Sequence, residues 1–406
     1  MITDLDSEME KRGVRGIVVF GETTLANPDL TYVVGGTLPR GGAYFKRAGK
    51  APLLLLSNLD IATAKRLGRV ERIQTYTDWG IEKLTRKYGT RDEAFAQLIA
   101  MVLKREGVSG RVGLFGRTDL ASGIRLADRL RRIGVKVVGS KSPTILESAR
   151  ETKDRYEIRE IRDAGTGTSE VVNEIAALLR NAKKKRGHLY IGRKHATIGL
   201  VKSLIAIKLA QKNMIAPEGT IFSIGASGAD PHHMGMPTDE IRAGRLIVFD
   251  IFPQVKSGYW FDLTRTFVVG QAPPKARRMY RAVAEAQTGA LDILRSGISG
   301  EEAMLAACDA IERYGYRTIR EVYQGKSKTL YSGFNHSLGH GVGLTIGERP
   351  YLSFNSKSAL KERQVVTVEP GVYLPGYGGV RIEDTVMITK RGFDNLSDVP
   401  KELELV

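Results

Sequence analysis

Four carboxylates lie on the apolar segments of this chain, where a folding protein can least easily keep them. Asp250 sits inside LIVFDIF (246–252) and Asp262 inside YWFDLTRTFVV (259–269). Glu369 closes VVTVE (365–369), and Glu383 stands within VRIEDTVMI (380–388). Between the pairs comes His340, flanked by glycines in SLGHGVG. Such runs of aliphatic, β-branched and aromatic residues read as buried strands. The joining residues are turn formers: Pro253, Ser257 and Gly258 in the first pair, PGVYLPGYGG in the second. Two hairpins are therefore expected, with one carboxylate on each arm. Residues opposite one another in an antiparallel pair share a face at ~5 Å, close enough to bind one ion.

Aspartate and glutamate are rarely buried unless paired or ligated. Like charges raise one another's pKa, so four clustered carboxylates cannot all ionise without cations. Two divalent ions would balance them. Carboxylate oxygens with one imidazole suit Mn²⁺, Co²⁺, Fe²⁺ or Zn²⁺ without choosing among them.

The stretches PHHMG (231–235), IVFDIFPQVKSGYWFDLTRTFVVG (247–270), HSLGHGVGL (336–344), VTVEPGVY (366–373) and GGVRIEDTVMIT (378–389) resemble the pita-bread metallopeptidases, the family of methionine aminopeptidase, prolidase and Xaa-Pro aminopeptidase. The resemblance implies an α+β pita-bread catalytic domain over residues 150–406, an antiparallel sheet with flanking helices in two pseudo-symmetric halves. It also implies a smaller α/β creatinase-like domain over residues 1–149. Asp250, Asp262, His340, Glu369 and Glu383 match five metal ligands, with Asp262 and Glu383 bridging two ions. Glu369 also matches the residue that exchanges a proton with the attacking hydroxide. Arg381 matches an arginine that supports the ligands from behind. His336 matches a histidine lining the substrate pocket. His233 matches the histidine that contacts substrate near the scissile bond, and it is preferred over His232 because its separation from Asp250 is the usual one. The implied activity is hydrolysis of the Xaa-Pro bond in dipeptides or short proline-containing peptides. A homodimer is the corresponding expectation.

Two departures qualify the resemblance. The Asp250–Asp262 spacing is one residue longer than usual, which the loop around FPQVKS absorbs at little cost. Gly347, in TIGERP, stands where these peptidases carry a second histidine. Arg349, two positions on, is a candidate substitute contact for a substrate carboxylate. The rival readings are a catalytically impaired homologue that binds a partner, RNA for example, or a peptidase of altered preference.

The net charge of +17 is the main feature favouring the RNA alternative. Its clearest cluster, KKKRG (183–187), lacks interleaved aromatics, so a solvated turn is expected and a nucleic-acid partner is not. No apolar run approaches the ~20 residues of a membrane span, and no membrane partner is expected. The N-terminal MITDLDSEMEKRG does not read as a signal peptide. The single cysteine, Cys308, fits a reducing cytoplasm. Strand-like VRGIVVF (14–20), GGAYFKR (41–47), APLLLLS (51–57) and RVGLFG (111–116) alternate with helical patterns in the first part of the chain. A long amphipathic helix is expected from near Lys153 through EIREIRDAG, with Glu157, Glu160 and Asp163 facing solvent and Ile158 and Ile161 packing, and helical segments follow near 167–181, 196–213 and 274–294. His188 and His195 read as ordinary surface or packing residues.

Overall fold

The computed structural model describes residues 2–406, in two compact units. One comprises Met1–Arg150 with Lys256–Gly258, the other Glu151–Val255 with Tyr259–Val406. In the first unit, strands Gly16–Gly21, Gly42–Arg47, Leu53–Leu56 and Arg111–Gly116 form where the apolar runs lie. Arg72–Thr75 and Lys136–Val138 complete a six-stranded sheet. Gly42–Arg47 is antiparallel to both of its neighbours, and the remaining pairings are parallel. Val18, Phe45 and Leu55 of the sheet pack with Leu98, Ile99 and Val102 of the helix Arg91–Arg105.

The second unit opens on the helix Arg155–Arg180. Asp154 and Glu157 form a capping box at its start. The sequence suggests two segments here, with the acids facing water. One continuous buried stripe through Ile161, Ala164, Val171, Val172, Ile175 and Leu179 instead holds the whole stretch together. Glu157 is buried, because its side chain serves the cap and accepts from Tyr259 Oη at 3.3 Å. Helices Ile198–Gln211, Pro274–Ile293 and Gly300–Arg313 follow, and Cys308 is buried within the last.

Two sheets carry the acidic motifs. A four-stranded sheet orders Thr220–Ile224, Leu246–Ile251, Leu263–Val269 and Glu404–Leu405. A five-stranded sheet orders Ile346–Leu352, Gly339–Val342, Val365–Val368, Asp384–Ile388 and Phe393–Asn395. This is the α+β pita-bread architecture. Across the sheets Glu383 N–H donates to Thr264 O at 3.0 Å, and Thr385 Oγ1 donates to Asp262 O at 2.7 Å.

The hairpins differ from the expected pair. Asp250 lies opposite Thr264, and Asp262 precedes its strand, so the two aspartates are diagonal neighbours. In the second pair, the Pro/Gly-rich connection is itself a hairpin, Gly371–Leu374 with Gly378–Arg381. The arm 380–388 breaks at Ile382–Glu383, where the chain leaves this hairpin for the five-stranded sheet. Among the described residues no helix is long and apolar enough to cross a membrane.

Candidate metal centre

Strand ends and one strand break bring the five donors together. Asp250 comes from within a strand, Asp262 and Glu369 from beside strand ends, and Glu383 from the break. His340 comes from Gly339–Val342. The flanking glycines are a packing requirement: a Cβ at Gly339 would lie 2.0 Å from Thr367 O, and one at Gly341 2.4 Å from Arg349 O. Only a bare backbone fits between the neighbouring strands there.

Donor atoms of Asp262, His340 and Glu383 lie within 4.8 Å of one another. His340 Nε2 is 3.7 Å from Asp262 Oδ2 and 3.4 Å from Glu369 Oε1. His340 Nδ1 lies 3.2 Å from Gly341 O. Nε2, which faces Asp262 and Glu369, is the ring nitrogen placed to ligate. Asp250 Oδ1, Asp262 Oδ1 and Glu383 Oε1 are buried with no hydrogen-bond partner. Orphaned anionic oxygens are costly, and a divalent cation would satisfy them. The donor set therefore fits metal ions.

The electrostatics agree. Burial, reinforced by Glu383 and the other acids, pushes Asp262 well above the ordinary carboxylate range. Glu383 rises for the same reasons. Glu369 is pushed up to about 7, chiefly by burial. Arg381 is the one cation among them. Burial disfavours its charge, but Tyr373, Asp250, Glu369 and Glu383 more than offset this and raise its pKa.

Arg381 organises the side of the site. Its Nη2 donates to Asp250 Oδ2 at 2.5 Å and its Nη1 to Tyr373 Oη at 2.7 Å. Its Nε donates to Thr264 Oγ1 at 3.2 Å, and Thr264 Oγ1 donates to Glu383 Oε2 at 2.6 Å. Thr367 Oγ1 accepts from His340 N–H at 3.0 Å and donates to Glu369 Oε1 at 3.2 Å. Beneath, buried Arg265 donates to Glu383 O at 2.5 Å and to Asp384 Oδ1 at 2.8 Å. Sequence reasoning assigned no role to Thr264, Arg265, Thr367 or Tyr373. All four lie inside the recognised motifs, and that position was the available signal.

The rim departs further from expectation. His336 Nδ1 faces Ser337 O at 2.8 Å, and its Nε2 faces Tyr373 Oη at 3.1 Å. Burial and Arg381 push its pKa down to about 3, so the ring is neutral. His233 Nδ1 is occupied by Gly235 N–H at 3.1 Å. His232 N–H donates to Asp230 Oδ1 at 3.0 Å. Both His232 and His233 therefore stand on the turn that leads into the site. The turn is closed by His233 N–H donating to Asp230 O at 3.1 Å. Arg349 Nε donates to Glu151 Oε1 at 3.0 Å. Gly347 has φ +76°, its N–H approaches His340 Nδ1 at 3.2 Å, and nothing lies within 4 Å of where its Cβ would be.

The sequence profile of metallopeptidase family M24 matches residues 159–390, more than half of the chain. The chain belongs to metallopeptidase family M24. Its relatives in this family extend over almost its whole length. The Xaa-Pro dipeptidase of Pyrococcus furiosus is 30% identical over 383 residues, covering 93% of this chain and 94% of the relative. The Xaa-Pro dipeptidase of Pyrococcus horikoshii is 28% identical over 402 residues, covering 97% and 96%. The solved prolidase of P. horikoshii superposes with a TM-score of 0.73 at 26% identity, covering 99% of each chain. The Bacillus anthracis Xaa-Pro dipeptidase gives 0.77 at 24%, covering 99% of this chain and 98% of that one, which speaks to the fold alone. This M24 chain is a peptidase of a metal-dependent family, and the partner-binding alternative gains no support from these relatives.

Proposed function

We propose that this M24 peptidase is a dinuclear enzyme hydrolysing the Xaa-Pro bond of dipeptides. The observation that carries the reading is the set of buried, partnerless oxygens on Asp250, Asp262 and Glu383 beside the free Nε2 of His340. Asp250, Asp262, His340, Glu369 and Glu383 would hold two divalent ions, drawn from Mn²⁺, Co²⁺, Zn²⁺ and Fe²⁺. Ions held there supply Lewis acidity, which brings the pKa of water towards neutrality and polarises a peptide carbonyl.

The chain's own residues do the rest. Glu369 is the acid–base group, taking a proton from the attacking water and returning it to the leaving proline nitrogen. Arg381 fixes Asp250 directly and Glu383 through Thr264, holding both in ligating geometry. His336, neutral and tied to Tyr373, lines the substrate side as a rigid wall. His232 is the rim histidine that meets the substrate. The relatives named Xaa-Pro dipeptidase, matched from end to end, favour the dipeptide over longer substrates.

The test is direct. Full-length protein is stripped with chelator, reloaded with Mn²⁺ or Co²⁺, and assayed on an Xaa-Pro dipeptide and an Xaa-Pro tripeptide. The dipeptide should be cleaved faster, and only by metal-loaded protein. No turnover of either substrate by protein carrying two ions per chain would overturn the proposal.

A further inference from the structure

A second cluster of donors lies outside the acidic centre, on a small ribbon. Lys183–Lys185, His188–Ile191 and Lys194–His195 form a three-stranded sheet. The segment around Glu240–Arg242 adds to it, bridging Thr197 to Glu240 and His188 to Arg242. Ile241 N–H donates to Ala196 O at 2.7 Å, and Ala196 N–H to Leu189 O at 2.9 Å. These bonds fix which side chains share a face. Leu189, Ala196 and Ile241 are buried. Strand alternation then turns His188, Tyr190, His195, Glu240 and Arg242 to the opposite face.

Alternation alone explains why these residues are polar, but not where their atoms point. Both imidazoles turn Nδ1 towards one carboxylate. His188 Nδ1 is 2.8 Å from Glu240 Oε2, and His195 Nδ1 is 3.8 Å from Glu240 Oε1. The three donor atoms lie within 4.8 Å of one another. Tetrahedral zinc with bonds near 2.0–2.1 Å spaces its donors roughly 3.3 Å apart, so small side-chain rotations suffice. The rings stand edge to face at 5.7 Å, which leaves both Nδ1 atoms accessible from one side.

We propose that His188, His195 and Glu240 form a second metal site, for one zinc-class divalent ion, separate from the acidic centre. The chemical class follows from the donors and their surroundings. Two imidazoles with one carboxylate suit borderline ions such as Zn²⁺ or Ni²⁺. Lys183, Lys184, Lys185, Arg186, Arg193, Lys194 and Arg242 make the neighbourhood basic. That field works against hard cations held by charge alone, such as Mg²⁺ or Ca²⁺. Arg242 Nη2 lies 3.3 Å from Glu240 Oε2 and would hold the carboxylate from outside. Three protein donors leave a position open to water or a further ligand. No backbone movement is required, because all three donors project from hydrogen-bonded ribbon positions.

The donors of the acidic centre would also suit zinc, so the test is a difference between proteins. Full-length parent, His188→Ala, His195→Ala and Glu240→Gln are stripped with chelator and brought to equilibrium dialysis against micromolar Zn²⁺. Zinc per chain is then counted by mass spectrometry. Each variant should hold one zinc fewer than the parent, or bind that zinc at least tenfold more weakly. Turnover of the Mn²⁺-loaded enzymes should be unchanged. Glu240→Gln preserves shape on a half-exposed ribbon, and circular dichroism of each protein checks that it is folded. Equal zinc in the parent and all folded variants would overturn the proposal and leave an ion-pair network that merely pins the ribbon. Because the readout is a difference, it stands whether the acidic centre binds two ions or none.

Discussion

The floor of the acidic centre and its rim follow different rules. The floor is built from hydrogen-bonded strands, and four of the five donors are held by a second residue: Asp250 by Arg381, Glu383 by Thr264, Glu369 and His340 by Thr367. The rim is built from turns, and there His232 and His233 compete for one place, glycine stands at 347, and Arg349 pairs with Glu151. Buried strands tolerate neither insertions nor unpaired charge, whereas turns tolerate both. The floor therefore sets the chemistry, and the rim is where substrate preference can drift.

The sharpest way to break this contrast is at the floor. Glu383→Gln removes an anionic donor. It should abolish binding of at least one ion and cut Xaa-Pro turnover by about a thousandfold, since metal activation is worth several kcal/mol. Metal counting beside the assay checks it. Arg381→Leu leaves Asp250 buried without its cation, and such a loss costs about 3–5 kcal/mol. Urea unfolding of the chelated protein should show it, and metal should recover part of the loss.

The floor also predicts a pH dependence. Glu369, Asp262 and Glu383 all bind protons more tightly folded than unfolded. A carboxylate whose pKa is raised on folding lowers stability as pH climbs from its unfolded value, near 4.5, through its folded one. Metal-stripped protein should thus lose stability between pH 4.5 and about 7, by about 3 kcal/mol for Glu369 alone. Saturating Mn²⁺ should flatten that slope. A stripped protein equally stable at pH 5 and pH 8 would remove the electrostatic argument for cations.

The rim should respond less. His232→Ala is expected to lower kcat/KM by 10- to 100-fold, about 1.4–2.7 kcal/mol, while His233→Ala changes it less than threefold. The opposite ranking would restore the assignment made from spacing. Smallest of all, Gly347→His should cost about 1 kcal/mol of stability. Its φ of +76° is unfavourable for a residue with a Cβ. Gly347→Asn should cost less, because asparagine tolerates that region, and chemical denaturation of the two variants makes the comparison.

The floor was legible because carboxylates on apolar runs violate the usual partition of residues, and few structures explain them. The strand of Asp250 and its antiparallel partner were readable from their apolar, β-branched and aromatic runs and the turn residues between them. The diagonal placement of Asp262 was not, because register depends on where a ladder begins. The break at Ile382–Glu383 lay hidden inside one continuous apolar run. Glu157 misled for a different reason: an acid three residues after Asp154 belongs to a capping box, so it is buried by the cap instead of facing solvent. The ribbon cluster was invisible, since 52 residues separate His188 from Glu240 and only strand pairing unites them.

The bare glycines beside His340 have a practical consequence for anyone remodelling this enzyme. Saturation libraries at 339 and 341 should return glycine almost alone, because any larger residue meets a neighbouring carbonyl before it meets substrate. Position 347 is the reverse, sterically open and limited only by its backbone angle. Diversity aimed at new substrates belongs there, in residues content with a left-handed turn, while the histidine's flanks are left untouched.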